Sequence, residues 1–65
     1  MTVMVRMKHL RMAGMCNREP RKFCAQQGWS WTEFLERGLP AELLESTGDP
    51  LALRVVEIAR REAAQ

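Results

Sequence analysis

Three side chains of this 65-residue chain could bind a transition metal or supply a soft nucleophile, namely His9, Cys16 and Cys24. Six residues separate the first two and seven separate the cysteines, whereas paired metal ligands usually follow C-x2-C or H-x3-H spacing. Three donors also leave a tetrahedral structural site incomplete. A cysteine nucleophile would need a base and oxyanion donors, and no glycine-rich segment offers such donors. We therefore expect no metal, no cofactor and no enzymatic activity, and thiols that are reduced and buried or half-buried.

Carboxylates are the other groups that could do chemistry. They fall on two successive predicted helices, as Glu33, Glu36, Glu42 and Glu45. Exposed helix faces normally carry such residues, so this pattern favours solvated surfaces over a catalytic acid and base.

Length and composition limit the architecture to a single small domain, residues 1–65. Hydrophobic residues make up 46% and charged residues 28% of the chain, as in ordinary globular proteins. No window has the roughly 18 consecutive apolar residues of a membrane span, and no signal peptide is evident. We expect a soluble cytoplasmic product, with no membrane partner.

Charge is distributed unevenly along the chain. Residues 1–24 carry a net charge of +5, residues 25–49 carry −4, and the remainder carries +1. Such a dipolar chain can steer towards a charged partner, although solvated faces that pair with each other are the commoner outcome.

The N-terminal segment permits two interpretations. Val3, Val5 and Met7 alternate along the chain with Thr2, Met4, Arg6 and Lys8. This period of two predicts a strand over residues 2–8 that pairs within the domain or with another protein's sheet. Alternatively, a helix runs from about Val3 to Ala13 and ends at Gly14. Both interpretations stay open at this point.

Helix boundaries are clearer after residue 16. Asn17 as cap, Pro20 in the first turn and Gly28 as stop predict a helix from Arg18 to Gln27 with Phe23 and Cys24 inward. Ser30 and Glu33 have the spacing of a capping box, and Trp29 can pack on Phe34 as a hydrophobic staple. A third helix should thus start at Trp31 and end at Gly38, with Trp31, Phe34 and Leu35 on one face.

Two further helices follow. One should run from Pro40 to Ser46 with Leu43 and Leu44 inward, closed by Gly48. The other starts after Asp49 as cap, runs from Pro50 to about Ala63, and should bury a stripe. That stripe comprises Leu51, Val55, Ile58 and Ala59. The fold class is therefore mostly α, a compact cluster of four or five short helices, with a short N-terminal strand as an option.

A helix-turn-helix, which would imply DNA binding, is the main alternative interpretation. Phe23, Cys24, Gly28 and Phe34 follow the apolar and turn positions of that motif. However, Gln27 occupies a position that is apolar in the motif, and acidic residues on the would-be recognition helix would repel phosphates. Nucleic acid is therefore a less favoured partner.

Several short strings have a recognisable pattern: His9-Leu10-Arg11, Ala13-Gly14-Met15-Cys16, Gly28-Trp29-Ser30-Trp31, Phe34-Leu35, Gly38-Leu39 and Thr47-Gly48-Asp49. This pattern, which spans residues 5–61, resembles short proteins that tailed bacteriophages and prophages of proteobacteria encode near virion and tail genes. The resemblance implies a small non-enzymatic phage protein that acts by protein contact, as a minor virion, tail or tail-tip component. Glu19-Pro20 departs from a glycine-containing pair in the family, which puts the start of the second helix in question.

The predicted contact residues are those that combine strand backbone, basic charge or an apolar anchor. They are Val3, Val5, Arg6, Lys8, Arg11, Arg18, Arg21 and Trp29. Residues 1–8 are the candidate partner-pairing arm, and other phage structural proteins are the expected partners. The five methionines, all within residues 1–15, suit either an adaptable contact surface or gap filling in the core. A small inhibitor that docks on a host or defence protein is a further alternative.

Overall fold

The computed structural model describes residues 2–64, so Met1, which belongs to the predicted arm, and Gln65 lie outside the described part. Within that part the chain is mostly α. Its elements in order are β1 Met4–Val5, α1 Met7–Met12, α2 Arg18–Gln27, α3 Trp31–Arg37, β2 Leu39–Pro40, α4 Ala41–Glu45 and α5 Pro50–Ala63. The predicted class of short helices with an N-terminal strand is confirmed.

The N-terminal segment combines both predicted alternatives. A strand exists, but only over Met4–Val5, and α1 follows at once. The prediction of a strand over residues 2–8 was thus wrong in extent, and a helix from Val3 was wrong at its start. His9 is the reason for the early switch, because its Nδ1 accepts the backbone N–H of Arg6 at 2.8 Å and satisfies a donor at the start of the helix.

Strand β1 pairs with β2, residues 39–40, within the domain. Antiparallel pairing joins Met4 to Pro40 and Val5 to Leu39, and the N–H of Ala41 donates to the carbonyl of Val3 at 2.9 Å. On this side, β1 therefore has its backbone groups occupied by its own chain.

Helix α2 has the predicted bounds and ends at Gly28, whose φ of 77° is left-handed. Its start differs from the prediction, because Asn17 is already helical and its side chain accepts no capping hydrogen bond. Pro20 lies in the first turn, where its missing N–H costs little, so the Glu19-Pro20 departure is compatible with helix entry. Cys24 is buried, and Phe23 is half-buried.

Helix α3 also has the predicted bounds. The Ser30 hydroxyl accepts the N–H of Glu33 at 3.2 Å, which confirms the cap. Phe34 is buried and Trp31 half-buried, with their ring centroids 5.3 Å apart. Leu35, predicted to face inward, is 48% exposed.

Helices α4 and α5 pack on each other. Asp49 caps α5 by accepting the N–H of Ala52 at 3.0 Å, and α5 has the predicted bounds. The predicted stripe is only partly right, since Leu51 is exposed and Ile58 is half-buried. The buried face of α5 is instead formed by Ala52, Val55, Val56 and Ala59.

Small residues form part of this buried face. Ala52 and Ala59 on α5, like Ala41 on α4, are at most 7% exposed. The larger Leu51, one residue before Ala52, is 54% exposed. Leu43 on α4 is likewise exposed, against prediction, while Leu44 is buried.

The core lies where β1, α1, α3, α4 and α5 converge. Its buried members are Val5, Leu10, Phe34, Ala41, Leu44, Ala52, Val55, Val56 and Ala59. Within residues 2–64, no helix is both long and apolar enough to cross a membrane.

Gly38 yields a stability prediction. Its φ of 81° and ψ of −175° fall in a region open essentially to glycine alone, and a Cβ would lie 2.6 Å from the carbonyl oxygen of Val5. We expect Gly38→Ala to lower the free energy of unfolding by about 2–4 kcal/mol, from backbone strain and overpacking together. Urea unfolding provides the measurement.

Gly28→Ala is the matched control, because Gly28 also has a positive φ but has open space around its Cβ position. It should cost only about 1–2 kcal/mol from the left-handed backbone. Equal losses at the two glycines would contradict the close approach of β1 to Gly38.

Candidate protein-binding surface

A polar cluster with one buried member, His9, joins α1 to the last turns of α5. His9 is 3% exposed; its Nε2 lies 3.0 Å from Oε1 of Glu62, and Nζ of Lys8 lies 2.9 Å from the same oxygen. Since Nδ1 of His9 accepts the Arg6 N–H, the neutral ring carries its proton on Nε2 and donates to Glu62. Hydrogen bonds from Lys8 and His9 hold the pKa of the Glu62 carboxyl below its ordinary value.

This cluster is structural. Each ring nitrogen of His9 already has a partner, and Glu62 serves two donors. Among residues 2–64, no group of three or more His, Cys, Asp and Glu side chains could hold a metal ion. From its sequence position His9 was expected only as a ligand or a base, and a separation of 53 residues left its pairing with Glu62 without a local signal.

Four of the predicted contact residues are engaged within the chain. Val5 is 1% exposed and belongs to the core, so its assignment to a partner surface was wrong. Val3 is half-buried and packs against the core. The guanidinium of Arg6 donates to the carbonyl of Glu36 at 3.3 Å, and Lys8 pairs with Glu62.

The three remaining arginines of the predicted patch are exposed, namely Arg11, Arg18 and Arg21. None of them takes part in an ion pair within residues 2–64, whereas the acids on α4 and α5 are paired: Arg60 with Glu42 and Glu45, and Arg61 with Glu57. The Glu57–Arg61 pair has the i, i+4 spacing that favours ion pairs on a helix. Among the described residues, these three arginines of α1 and α2 thus have no carboxylate partner, while Glu42, Glu45 and Glu57 have basic partners.

Trp29 is half-buried and packs edge-on against Phe23, with centroids 5.8 Å apart and planes at 71°. The sequence predicted a partner one helix later, at Phe34. Edge-to-face packing on α2 suits the ring quadrupoles. Trp29 therefore joins α2 to the turn before α3, and its role as an exposed anchor loses support.

A half-open apolar pocket lies between α2 and the core. Its volume is about 220 Å³, and its walls include Phe23, Trp31 and Phe34. No sequence pattern indicated this pocket, because its walls come from all seven elements and their junctions. Apolar side chains continue around its mouth, where Leu51 is 54% exposed. Leu35, 48% exposed, lies one turn beyond Trp31 on the same face of α3.

The two cysteines have different environments. Cys24 lines the pocket and is buried, and this burial raises the pKa of its thiol. Cys16 is exposed, so the prediction of a buried or half-buried thiol was wrong there. Neither is in a disulfide.

Helices α2 and α3 with the turn at residues 28–30 have the order of a helix-turn-helix. The second helix has only seven residues, and it exposes Glu33 and Glu36. Carboxylates on a helix in a groove of DNA would face phosphates of the same charge.

Comparisons with protein-family models, with curated proteins and with solved structures find no match to this chain.

The Glu62 cluster predicts acid-sensitive stability. A carboxyl whose pKa in the folded state is lowered stabilises the fold above its ordinary value of 4.5, and this contribution is lost as the pH falls through the folded value. We expect the free energies of unfolding of wild type and Glu62→Gln to converge as the pH is lowered from about 5 to about 3. Urea unfolding at a series of pH values tests this.

Glu57→Gln is the control, because it removes a carboxylate from the same helix and leaves Glu62 in place. It should retain the acid-dependent loss attributed to Glu62. Parallel pH profiles for wild type and Glu62→Gln would show that the cluster makes no proton-linked contribution.

Thiol labelling tests the contrast between the cysteines. Thiolate is the reactive form, so an exposed Cys16 should react with iodoacetamide at pH 8 faster than Cys24 by about one order of magnitude or more. Mass spectrometry of tryptic peptides over time gives both rates. Under unfolding concentrations of urea the rates should become similar, and similar rates in the native protein would contradict the burial of Cys24.

Proposed function

We propose that this protein is a non-enzymatic phage protein that acts by protein–protein contact, as a minor virion component of the tail or tail tip. The observation that carries the contact role is the apolar surface formed by the pocket and its rim. This contact surface comprises Phe23, Trp31, Leu35 and Leu51. The phage setting comes from the resemblance to short proteins encoded near virion and tail genes.

Exposed apolar side chains are ordinary when they are scattered, and significant when they surround a concavity. Leu51 and Leu35 are each about half exposed, and Leu51 stands at the mouth of the pocket. A small domain has little apolar surface to spare, since its own core is marginal. Contact with a partner would remove this surface from water.

The exposed arginines of α1 and α2 support a protein partner with acidic groups. Arg11, Arg18 and Arg21 are exposed and outside every ion pair of the described residues. Rim charges of this kind speed association and select orientation more than they add affinity. DNA would use the same charges, but the acidic, seven-residue α3 argues against insertion of that helix into a groove.

Mass spectrometry of gradient-purified virions tests the proposal. Particles from the phage or induced prophage that encodes the chain should contain it, and deletion of its gene should reduce the yield of particles with intact tails. An abundant cytoplasmic host protein serves as the marker of contamination. A chain found only in the marker fraction would contradict a virion role.

Complementation connects the role to the contact surface. Leu51→Lys places a charge at the mouth of the pocket on a side chain that is already 54% exposed, so the fold should tolerate it. We expect this variant to fail to restore particle yield, because a desolvated charge opposes apolar contact.

Leu53→Lys is the matched control, since Leu53 is 42% exposed and lies outside the lining of the pocket. It should complement like wild type. Equal complementation by the two variants would show that particle assembly does not depend on the contact surface. Binding to duplex DNA that weakens steeply between about 50 and 200 mM salt would favour a regulator instead.

A further inference from the structure

The pocket between α2 and the core has walls of an unusual chemical kind for so small a domain. Three aromatic rings line it, from Phe23, Trp31 and Phe34, together with the sulfur atoms of Met15 and Cys24. Aromatic groups interact favourably with ring edges and faces and with divalent sulfur, beyond the burial of area alone. The walls therefore favour a flat aromatic occupant over a branched aliphatic one.

Volume sets the size of that occupant. A dry cavity of about 150 Å³ accepts benzene, and this pocket measures about 220 Å³. One or two fused rings would fit, whereas a whole helix face would not. The innermost walls include Val5, Phe34 and Val55, which are at most 3% exposed, so a charged group placed there would be desolvated at high cost.

The surroundings of the mouth favour a side chain over a free small molecule. Apolar surface continues beyond the pocket at Leu35, which is 48% exposed and lies one turn beyond Trp31 on α3, and a molecule filling the pocket alone would leave it in water. The polar side chains on the rim carry both signs of charge and an amide: Glu19, Lys22 and Gln26, all exposed. Such a rim can pair with the backbone and polar side chains of a partner segment around one buried anchor.

We infer that the pocket receives one aromatic side chain, tryptophan, tyrosine or phenylalanine, from a segment of a partner protein. This inference rests on the proposed contact function and specifies how the partner is recognised. Anchors of this kind contribute a large share of the affinity of an interface, while the surrounding contacts exclude water.

Two measurements on the full chain test the inference. First, indole is titrated into the ¹⁵N-labelled protein and followed by two-dimensional NMR. Saturable shifts are expected at Phe23, Cys24 and Trp31, with amides of the last turn of α5, residues 60–63, unchanged. Second, random peptides of about twelve residues, long enough for three helical turns, are selected against the protein by mRNA display. Enriched peptides should share an aromatic residue, and indole should compete with them.

Variants separate the pocket from the rest of the surface. Cys24→Met extends a longer side chain from the pocket wall and should weaken indole and peptide binding at least about tenfold. Leu51→Lys at the mouth should weaken peptide binding, and Leu53→Lys should leave it unchanged. The NMR spectrum of each variant reports whether it is folded, and the wild-type titration needs no variant.

Each outcome decides the inference. Absence of saturable indole binding, or peptides without an aromatic residue, overturns it. Indole binding with peptides that indole does not displace makes the pocket a small-molecule site and also overturns it. Failure of the proposed function gives a different result. If the chain is missing from virions but still binds aromatic peptides through the pocket, the tail role is wrong and the inference about the pocket stands.

Discussion

The close approach of Gly38 to the backbone of β1 is the contact on which the N-terminal half of the fold depends. A side chain at residue 38 would meet the carbonyl oxygen of Val5, so only glycine lets β2 pair with β1 at this register. That pairing brings Val5 into the core beside α5. It also sets the path into α1, because Arg6 follows immediately and donates its N–H to His9. The Glu62 hydrogen bond of His9 then joins α1 to the last turns of α5.

Helix α2 is held differently from the other long helix. Helix α5 contacts β1, α1 and α4, whereas the principal neighbour of α2 is α3. Its packing depends on Cys24 and on the Phe23–Trp29 pair at one end. The pocket is the space that remains where α2 leaves the core uncovered. Pocket and contact surface are therefore consequences of one feature, an amphipathic helix that covers the core only in part.

Local signals in the sequence predicted the helices well, and non-local ones were harder to see. Gly28, Ser30, Asp49 and Pro50 act within a few residues of their own position, so the bounds of α2, α3 and α5 could be read directly. Which residues are buried was harder to predict, because burial depends on which face of a helix packs against a neighbouring element. Ranking by size placed Leu51 inside, whereas the smaller Ala52 next to it is the buried residue. The pocket and the His9–Glu62 hydrogen bond bring together residues far apart in sequence, and neither produces a periodic pattern in the sequence.

The pocket also connects stability to binding. Atoms beside an unfilled space lack packing partners on one side. That loss is significant in a domain of 65 residues, whose core supplies only about 3–5 kcal/mol. A group that fills the pocket would pack against the half-buried Phe23 and Trp31 and would thereby link α2 to α3. Any ligand that binds only the folded state stabilises it by mass action, so a partner that enters here would complete the packing that the chain alone leaves unfinished.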